Sequence, residues 1–350
     1  MPHASHPGYA GADEFLAMQR LAQSNLVFSV TRRCPLHCDH CVTSSGPEVA
    51  GDTLTVADAA RYAAELPALY DAGVRHLTFT GGEPVLALPG VAVLAAAAKR
   101  VGLATSIVTS GAWAVSPAAT LKVLDRLAAI DHWDLGFDRY HQKELALSAF
   151  CALLRALQAR RIAHSVRACV ETPPSEEDLA LLDELRAATG PDVPIYRQSV
   201  RRIGRAAEIL RRVAPAAGPP ALEPCLSSGP IVREDGSIGP CCSGLAYERR
   251  GCHPFEFGDA RGNSLVSARE AWLRDPLLRL VRLVGFAYPL KWLAETGDPA
   301  LQPALMPHKT CELCVQLWDR EGRVGRYLSD RAARPEVVAQ LDRLERELFS

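Results

Sequence analysis

Between residues 25 and 200, short β-rich runs alternate with longer amphipathic stretches, and this alternation strongly limits the possible folds. The candidate strands are Leu26–Arg32, His76–Thr80, Thr105–Thr109, Trp133–Asp138, His164–Val170 and Val193–Gln198. Apolar residues recur at intervals of three and four in segments between them, such as Val56–Ala72 and Glu176–Thr189, which predicts helices. The pattern therefore predicts an α/β fold, a partial (β/α)6 TIM-like barrel rather than a closed eightfold one.

The composition limits the possible partners and compartment. With 39 basic and 40 acidic residues, the chain has a net charge of −1 and no electrostatic reason to bind nucleic acid. The longest apolar stretch, Val85–Ala98, is too short to span a bilayer, so we expect a buried Ala-rich helix and no membrane partner. The N-terminus shows no export signal, so the eleven cysteines predict reduced thiols and a cytoplasmic protein.

Three of these cysteines, Cys34, Cys38 and Cys41, follow the first candidate strand at C-x3-C-x2-C spacing. Three thiolates so close in sequence can bind an iron–sulfur cube and leave one iron open to a non-protein ligand. Zinc, in contrast, favours four closed ligands and commonly shows paired C-x2-C units. The motif Gly81-Gly82-Glu83-Pro84 follows the second candidate strand. Functional loops of such barrels lie at the C-terminal ends of strands, which is where both motifs fall.

This combination resembles the radical S-adenosylmethionine (SAM) superfamily. The resemblance implies a 4Fe–4S cluster on Cys34, Cys38 and Cys41, with SAM bound at the open iron. It further implies reductive cleavage of SAM to a 5′-deoxyadenosyl radical, which abstracts hydrogen from a substrate carbon. An external one-electron reductant such as flavodoxin or ferredoxin is the implied partner.

The same resemblance predicts a set of SAM-binding residues, namely Gly81, Gly82, Glu83, Pro84, His40, Ser110, Asp138 and Arg167. His40 takes the usual aromatic position near adenine, and Ser110 stands where the family often has Asn. Asp138 is predicted to bind the ribose hydroxyls, and Arg167 the SAM carboxylate. A salt bridge inside the barrel is the alternative for Asp138 and Arg167. The stretch 201–206 resembles a family segment close to SAM.

A second group of cysteines follows a Pro/Gly-rich stretch near 214–220, which reads as a linker. Cys225, Gly236 and Cys241 stand at C-x10-G-x4-C spacing, and Cys311 and Cys314 form a later C-x2-C pair. The pattern resembles the SPASM domain in its shortened "twitch" form, because no cysteine follows Cys314. It implies one auxiliary 4Fe–4S cluster on Cys225, Cys241, Cys311 and Cys314. A zinc site with the same four thiolates is the alternative.

Four cysteines fall outside these ligand sets. Cys242 and Cys252 are candidate hydrogen-atom donors to a substrate radical, Cys242 is also a possible replacement ligand for Cys241, and both are possible packing residues. The isolated Cys151 and Cys169 are predicted to be small buried apolar residues.

The predicted organisation has four parts: an N-terminal extension at 1–24, the barrel at 25–213, an auxiliary iron–sulfur domain at 221–320 and a C-terminal helix at 321–350. Apart from Ser264–Val284, the third part has few long periodic segments. We therefore expect a small domain held by metal rather than by a large core.

The predicted function is a radical SAM oxidoreductase or epimerase acting on a carbon of a secondary-metabolite substrate, of the aminosugar or aminocyclitol kind. Only 33 residues precede Cys34, which favours a small molecule over a ribosomal peptide, although peptide modification is the alternative. His141 is a candidate acid/base or substrate anchor, together with Cys242 and Cys252 as candidate catalytic residues. An alternative from a different class is a non-catalytic zinc or iron–sulfur binding module.

Overall fold

The computed structural model describes residues 11–209, 223–243, 245–248, 250–302 and 309–349. The predicted linker at 214–220 and the first ten residues of the N-terminal extension lie outside the described residues.

Eight strands form one sheet in the order β6-β5-β4-β3-β2-β1-β7-β8. They are β1 (Asn25–Ser29), β2 (His76–Thr80), β3 (Ala104–Thr109), β4 (His132–Gly136), β5 (Ala163–Val170), β6 (Ile195–Ser199), β7 (Ile231–Val232) and β8 (Ile238–Gly239). Strands β1 to β6 are parallel neighbours in chain order, which confirms the six predicted strands and the α/β class. Strand β7 pairs with β1 in parallel and with β8 in antiparallel, so the sheet continues past the predicted domain boundary.

The helices have the following bounds: α1 (Ala12–Ser24), α2 (Val56–Asp71), α3 (Leu88–Val101), α4 (Pro117–Arg126), α5 (Arg139–Gln142), α6 (Leu147–Ala159), α7 (Glu176–Thr189), α8 (Arg205–Ile209), α9 (Leu245–Glu248), α10 (Leu265–Arg274), α11 (Pro276–Val284), α12 (Ala287–Thr296), α13 (Thr310–Gln316), α14 (Arg323–Ala332) and α15 (Pro335–Phe349). Thr55 caps α2 by accepting a hydrogen bond from the Asp58 amide, and Ser175 forms a capping box with Asp178 at α7.

Strand β1 ends three residues earlier than predicted. After Ser29 the chain leaves the regular ladder and makes isolated bridges, Thr31 to Thr53 and Arg33 to Gly46. Because the ladder ends at Ser29, the residues before Cys34 form a loop at the C-terminal end of the strand. Strand β4 likewise ends at Gly136, and Asp138 instead caps α5.

The main core lies between the sheet and the helices that cover its outer face. Leu26 and Phe28 on β1, and Val30 directly after it, alternate along the chain and are almost fully buried there. The opposite face is polar, because Thr78 donates to Asn25 Oδ1 over 3.1 Å and shares a 3.0 Å hydrogen bond with Ser106. The barrel interior of this chain therefore offers hydrogen-bonding groups where a closed barrel is filled with branched apolar residues.

A second apolar core corrects the prediction that residues 221–320 depend on metal instead of a core. Trp272 and Phe286 are completely buried, and seven consecutive residues of α11 are buried as well. The helices are short, and Pro276 divides the predicted segment Ser264–Val284 into α10 and α11, so their periodicity is hard to see in the sequence. The predicted C-terminal helix at 321–350 is in fact two helices, α14 and α15.

The apolar helix near residue 90 belongs to the main core. The span Pro84–Val101 is long and apolar enough to cross a membrane by length and composition, but half of it is buried in the protein. It consists of a 3-10 turn at Pro84–Ala87 followed by α3, whose Leu94 and Ala98 are wholly buried.

Candidate active site

The loop that carries Cys34, Cys38 and Cys41 is held by backbone hydrogen bonds. The Cys34 amide donates to Gly46 O over 3.2 Å, and the Arg205 amide donates to Cys41 O over 3.1 Å. The Arg205 side chain adds a 2.9 Å hydrogen bond from Nε to Cys38 O. Gly46 closely follows Cys41 in the sequence, whereas Arg205 comes from a distant segment, so the loop conformation depends in part on the tertiary fold.

The predicted Gly81-Gly82 pair packs directly against the residues before Cys34. A Cβ atom at position 81 would lie 2.3 Å from Thr31 O, and one at position 82 would lie 2.2 Å from Arg33 O. The Gly82 amide donates to Thr31 O over 2.6 Å. Only glycine permits this approach, so the two motifs that the sequence places forty residues apart meet at one edge of the sheet.

Glu83, the third residue of that motif, is completely buried. Its carboxylate accepts hydrogen bonds from Thr109 Oγ1 at 2.7 Å and from Ser110 Oγ at 2.9 Å. Burial raises the pKa of Glu83, although these hydrogen bonds oppose the shift. Glu83 therefore joins the ends of β2 and β3, and the hydroxyl of Ser110 is engaged with Glu83.

Asp138, just after β4, contacts two histidines. Its carboxylate lies 2.9 Å from His141 Nδ1 and 3.4 Å from His40 Nε2. It also accepts hydrogen bonds from the amides of Tyr140 and Cys169, at 3.0 and 3.1 Å. The His40 ring stacks on Tyr140, with a centroid distance of 4.7 Å.

The two histidines have opposite pKa shifts. Burial lowers the pKa of His40 to about 4, so its ring is neutral at physiological pH. Burial alone would lower the pKa of His141 too, but the Asp138 charge outweighs it and raises the pKa to about 10. Burial would raise the pKa of Asp138, yet the attraction of His141 lowers it to about 2. His141 and Asp138 thus form a buried ion pair.

Arg167, predicted to bind the SAM carboxylate, forms an ion pair with Asp134. Asp134 lies on β4, four residues before Asp138, and also accepts a 3.3 Å hydrogen bond from Ser165 Oγ. Arg167 therefore does form a salt bridge inside the barrel, the predicted alternative, and its partner is Asp134 rather than Asp138. Asp138 and Arg167 are not paired with each other, and the Arg167 side chain remains 37% exposed.

The second cysteine set assembles from distant segments against the second core. The Cys225 amide donates to Val281 O over 2.9 Å, and Gln19 Nε2 donates to Cys225 O over 3.0 Å. Burial raises the pKa of Cys241 to about 12 and raises those of Cys225, Cys311 and Cys314 as well. Cys314 senses the charges of the other three thiols, so the four predicted ligands converge.

The two remaining candidates near this set differ in exposure. Cys242 is exposed, its sulfur lies 3.5 Å from Ser228 Oγ, and its charge acts on both Cys241 and Cys311. Cys252 is partly buried in the segment before Phe255. Cys241, rather than Cys242, has the buried position expected of a ligand.

The spacing of the thiols bears on which group they can hold. Within the part of the chain that the structure describes, only His40, Asp138 and His141 bring three potential His, Cys, Asp or Glu ligand atoms within 4.8 Å of one another. Neighbouring sulfurs around a tetrahedral zinc ion are about 3.8 Å apart, because Zn–S bonds are about 2.3 Å. Within the described residues, neither cysteine set brings three sulfurs that close together.

Some residues of the site were missed or only partly foreseen. The prediction that 201–206 lies near SAM did not anticipate that Gly204 and Arg205 clamp the cysteine loop. Gly204 has a φ of +60°, and a Cβ there would lie 2.3 Å from Cys41 O. Cys169, predicted to be an ordinary buried residue, is partly exposed at the end of β5 beside Asp138. The sequence signal for this contact was a glycine directly before an arginine, at Gly204 and Arg205. No local sequence pattern indicated that Cys169 lies beside Asp138.

A comparison with known protein families finds a match for most of the barrel. Residues 28–164 match the profile of the Radical SAM superfamily, which spans β1 through the start of β5, including the cysteine loop and the Gly81-Gly82-Glu83-Pro84 motif. This match identifies residues 28–164 as a radical SAM domain.

Relatives and solved structures are similar over different parts of the chain. PqqA peptide cyclase from Gluconobacter oxydans (strain 621H) is 33% identical over 139 residues, which cover 40% of this chain and 36% of that protein. The chain thus matches about a third of the length of this relative. The structure of Streptococcus suis SuiB is 15% identical with a TM-score of 0.48, covering 74% of this chain and 67% of the other. That of anSMEcpe with bound AdoMet and a Cp18Cys peptide is 11% identical with a TM-score of 0.49, covering 91% and 99%.

Proposed function

We propose that the protein is a radical SAM enzyme that abstracts a hydrogen atom from a carbon of a small secondary-metabolite substrate and epimerises that carbon. The observation that carries the proposal is the meeting of the Cys34–Cys41 loop with Gly81 and Gly82 at the C-terminal edge of the sheet. When bound there, a 4Fe–4S cluster supplies the electron that cleaves SAM to a 5′-deoxyadenosyl radical.

The residues around this edge have distinct tasks in the proposal. Cys34, Cys38 and Cys41 hold the cluster, and the backbone of Gly81 and Gly82 lies where a bound SAM can approach closely. Glu83 fixes the relative position of β2 and β3 through Thr109 and Ser110. The neutral His40 ring, stacked on Tyr140, offers a flat surface for adenine.

Asp138 and His141 act together in the proposal. Because their charges are paired, His141 holds the Asp138 carboxylate in one orientation, where it can accept hydrogen bonds from ribose hydroxyls. This pairing makes His141 a positioning residue for Asp138. The polar barrel wall formed by Thr78, Ser106 and the Asp134–Arg167 pair supports a hydrophilic substrate.

Cys225, Cys241, Cys311 and Cys314 are the proposed ligands of an auxiliary cluster, and Cys242 is the proposed hydrogen donor. The exposure of Cys242 supports this role, because its neighbour Cys241 is partly buried. Its S–H hydrogen passes to the substrate radical and forms a new C–H bond. The sulfur radical left behind takes one electron from the external reductant and one proton from solvent, which restores the thiol.

The test begins with SAM cleavage, using anaerobically reconstituted protein, dithionite and SAM. We expect 5′-deoxyadenosine from the parent protein and none from a Cys38→Ala variant. If the parent protein binds iron but forms no 5′-deoxyadenosine, the proposed catalysis is contradicted. The remaining interpretation is then a non-catalytic iron–sulfur binding module.

The fate of the substrate radical is tested in deuterated water with candidate aminosugars and aminocyclitols. One solvent deuterium in the product of the parent and of Cys252→Ala, but not in that of Cys242→Ala, supports Cys242 as the donor. A product that has lost two hydrogens identifies an oxidase instead. If the enzyme converts a peptide but none of the small molecules, the substrate is a ribosomal peptide.

A further inference from the structure

A polar cleft opens between the end of β1, the β7–β8 hairpin and α9. We call it the β1–β7 cleft; it has a volume of about 350 Å³, and its lining includes Arg32, Arg233, Glu234, Asp235, Tyr247 and Arg250. None of these residues belongs to the predicted ligand or SAM-binding sets. The cleft nevertheless borders the cysteine loop, since Arg32 precedes Cys34 by two residues and its Nη2 donates to Thr43 O over 3.1 Å.

Most charges of this cleft are already paired. The pairs are Arg250 with Asp235, Arg233 with Glu256 at 3.3 Å, and Arg261 with Asp52 at 2.9 Å. Among the described residues, neither Arg32 nor Glu234 has an ion-pair partner. The two groups lie close enough that the charges of Arg32 and Arg233 oppose the rise in the pKa of Glu234, but neither arginine makes an ion-pair contact with it in the described structure.

Several buried polar atoms here also lack a hydrogen-bond partner in the described structure. They are Arg32 Nε, Arg233 Nε, Arg233 Nη2 and Glu234 Oε2. The Arg233 side chain is only 1% exposed, so its unpaired N–H groups are out of reach of bulk water. Buried polar groups are usually satisfied, so these four atoms of one cleft are available to a ligand that supplies both acceptors and a donor.

The cationic side of the cleft is held in place. The Arg32 guanidinium lies 4.8 Å from the centre of the Tyr247 ring, and Tyr247 Oη shares a 2.7 Å hydrogen bond with Ser29 Oγ at the end of β1. Gly239 leaves room for Arg233, because a Cβ there would lie 2.0 Å from Arg233 Nη2. Both guanidinium groups are thus oriented before any ligand arrives.

We propose that the β1–β7 cleft binds a zwitterionic, amino-acid-type group of the substrate, with Arg32 and Arg233 donating to its carboxylate and Glu234 accepting from its ammonium. The identification of this ligand as the substrate rests on the proposed function. It changes the expected substrate from a plain aminosugar or aminocyclitol to a molecule that carries a carboxylate as well as an amine. Burial raises the pKa of Glu234, a shift that a neighbouring ammonium would oppose.

The proposal can be tested by calorimetric titration of the full-length reconstituted protein with three probes. Glycine carries both charges, N-acetylglycine carries only the carboxylate, and glycinamide carries only the ammonium. We expect Arg32→Gln to weaken N-acetylglycine binding by about tenfold or more and to leave glycinamide binding unchanged. Glu234→Gln should have the reverse effect, and both variants should weaken glycine binding.

The matched controls are Arg274→Gln and Glu270→Gln, which change an exposed ion pair on α10 and should bind all probes like the parent. Glu234 lies outside the cysteine loop, so Glu234→Gln tests the proposal even where Arg32→Gln disturbs the cluster. The proposal is overturned if the parent binds none of the probes, or if both cleft variants bind all three like the parent. 5′-Deoxyadenosine measured on the same preparations separates the two claims, because it reports SAM cleavage without the cleft ligand.

Discussion

The two cysteine sets are built in different ways. Cys34, Cys38 and Cys41 lie within one short loop, and backbone contacts from Gly82 and Arg205 hold that loop from outside. Cys225, Cys241 and the pair Cys311 and Cys314 on α13 come from three separate segments and are partly buried, with Cys225, Cys311 and Cys314 packed against the second core. The first set is therefore a loop on a barrel that folds around its own core, whereas the second set lies where separate segments meet against the second core.

This difference predicts different consequences of metal binding. A group bound by the first set occupies an edge that the fold has already formed, so it contributes chemistry more than stability. A group bound by the second set closes a loop of more than eighty residues between Cys225 and Cys311 and adds to the free energy of folding.

The largest expected effect follows from removing either set completely. We expect the Cys34→Ala, Cys38→Ala, Cys41→Ala triple variant to lose 5′-deoxyadenosine formation and to bind about four irons per chain, against about eight in the parent. The matched variant, with alanine at Cys225, Cys241, Cys311 and Cys314, should also retain about four irons and should still cleave SAM. Iron analysis and chromatography of the nucleoside products measure both. A parent that binds zinc and little iron contradicts the prediction.

A large difference is also expected in thiol reactivity. Thiol alkylation requires an accessible thiolate, so we expect iodoacetamide to label the exposed Cys242 first in the intact protein. Cys225, Cys241, Cys311 and Cys314 are buried with raised pKa values, and they should react at least ~10-fold more slowly. Peptide mass spectrometry over a time course measures the order. Equal labelling of Cys241 and Cys242 would show that either of the two can leave the metal site.

The barrel was predictable from sequence because its signals are local. The periodicities of strands and helices repeat over whole elements. Thr55 and Ser175 each cap a helix by binding a residue only three positions later. The cysteine loop and the glycine motif were predictable for the same reason, since each is a short motif directly after a strand.

What could not be predicted depends on tertiary contacts. The partner of Arg167 is Asp134 because the register of β4 and β5 places these side chains on one face, and no local pattern reports that register. The second core was missed because α10 to α14 are each ten residues or shorter, which gives too few turns for a clear apolar repeat. The clamp of Gly204 and Arg205 on the cysteine loop is likewise a contact between segments more than 160 residues apart.

A moderate effect on stability should distinguish the two sets. We expect Cys314→Ala to lower the Tm by at least about 5 °C, because it removes a ligand from a site that ties together separate segments. Cys34→Ala should lower the Tm by less than about 2 °C, because the barrel core does not depend on its loop. Anaerobic differential scanning fluorimetry measures both variants. Equal shifts would mean that the first set also supports the fold.

The smallest effect is expected from cysteines outside both sets. Cys151 lies on α6, and Cys169 is the next-to-last residue of β5, where its amide, rather than its thiol, is hydrogen-bonded to Asp138. We therefore expect Cys151→Ala and Cys169→Ala to keep the iron content of the parent and to change the Tm by no more than about 2 °C. Iron loss in Cys169→Ala would contradict the assignment of ligands to two separate sets, because Cys169 senses the charge of Cys38 and is the thiol best placed to substitute as a ligand in the first set. Unchanged iron in both variants leaves the ligands among the cysteines of the two sets, Cys242 and Cys252, which agrees with the contrast between a preformed loop and an assembled site.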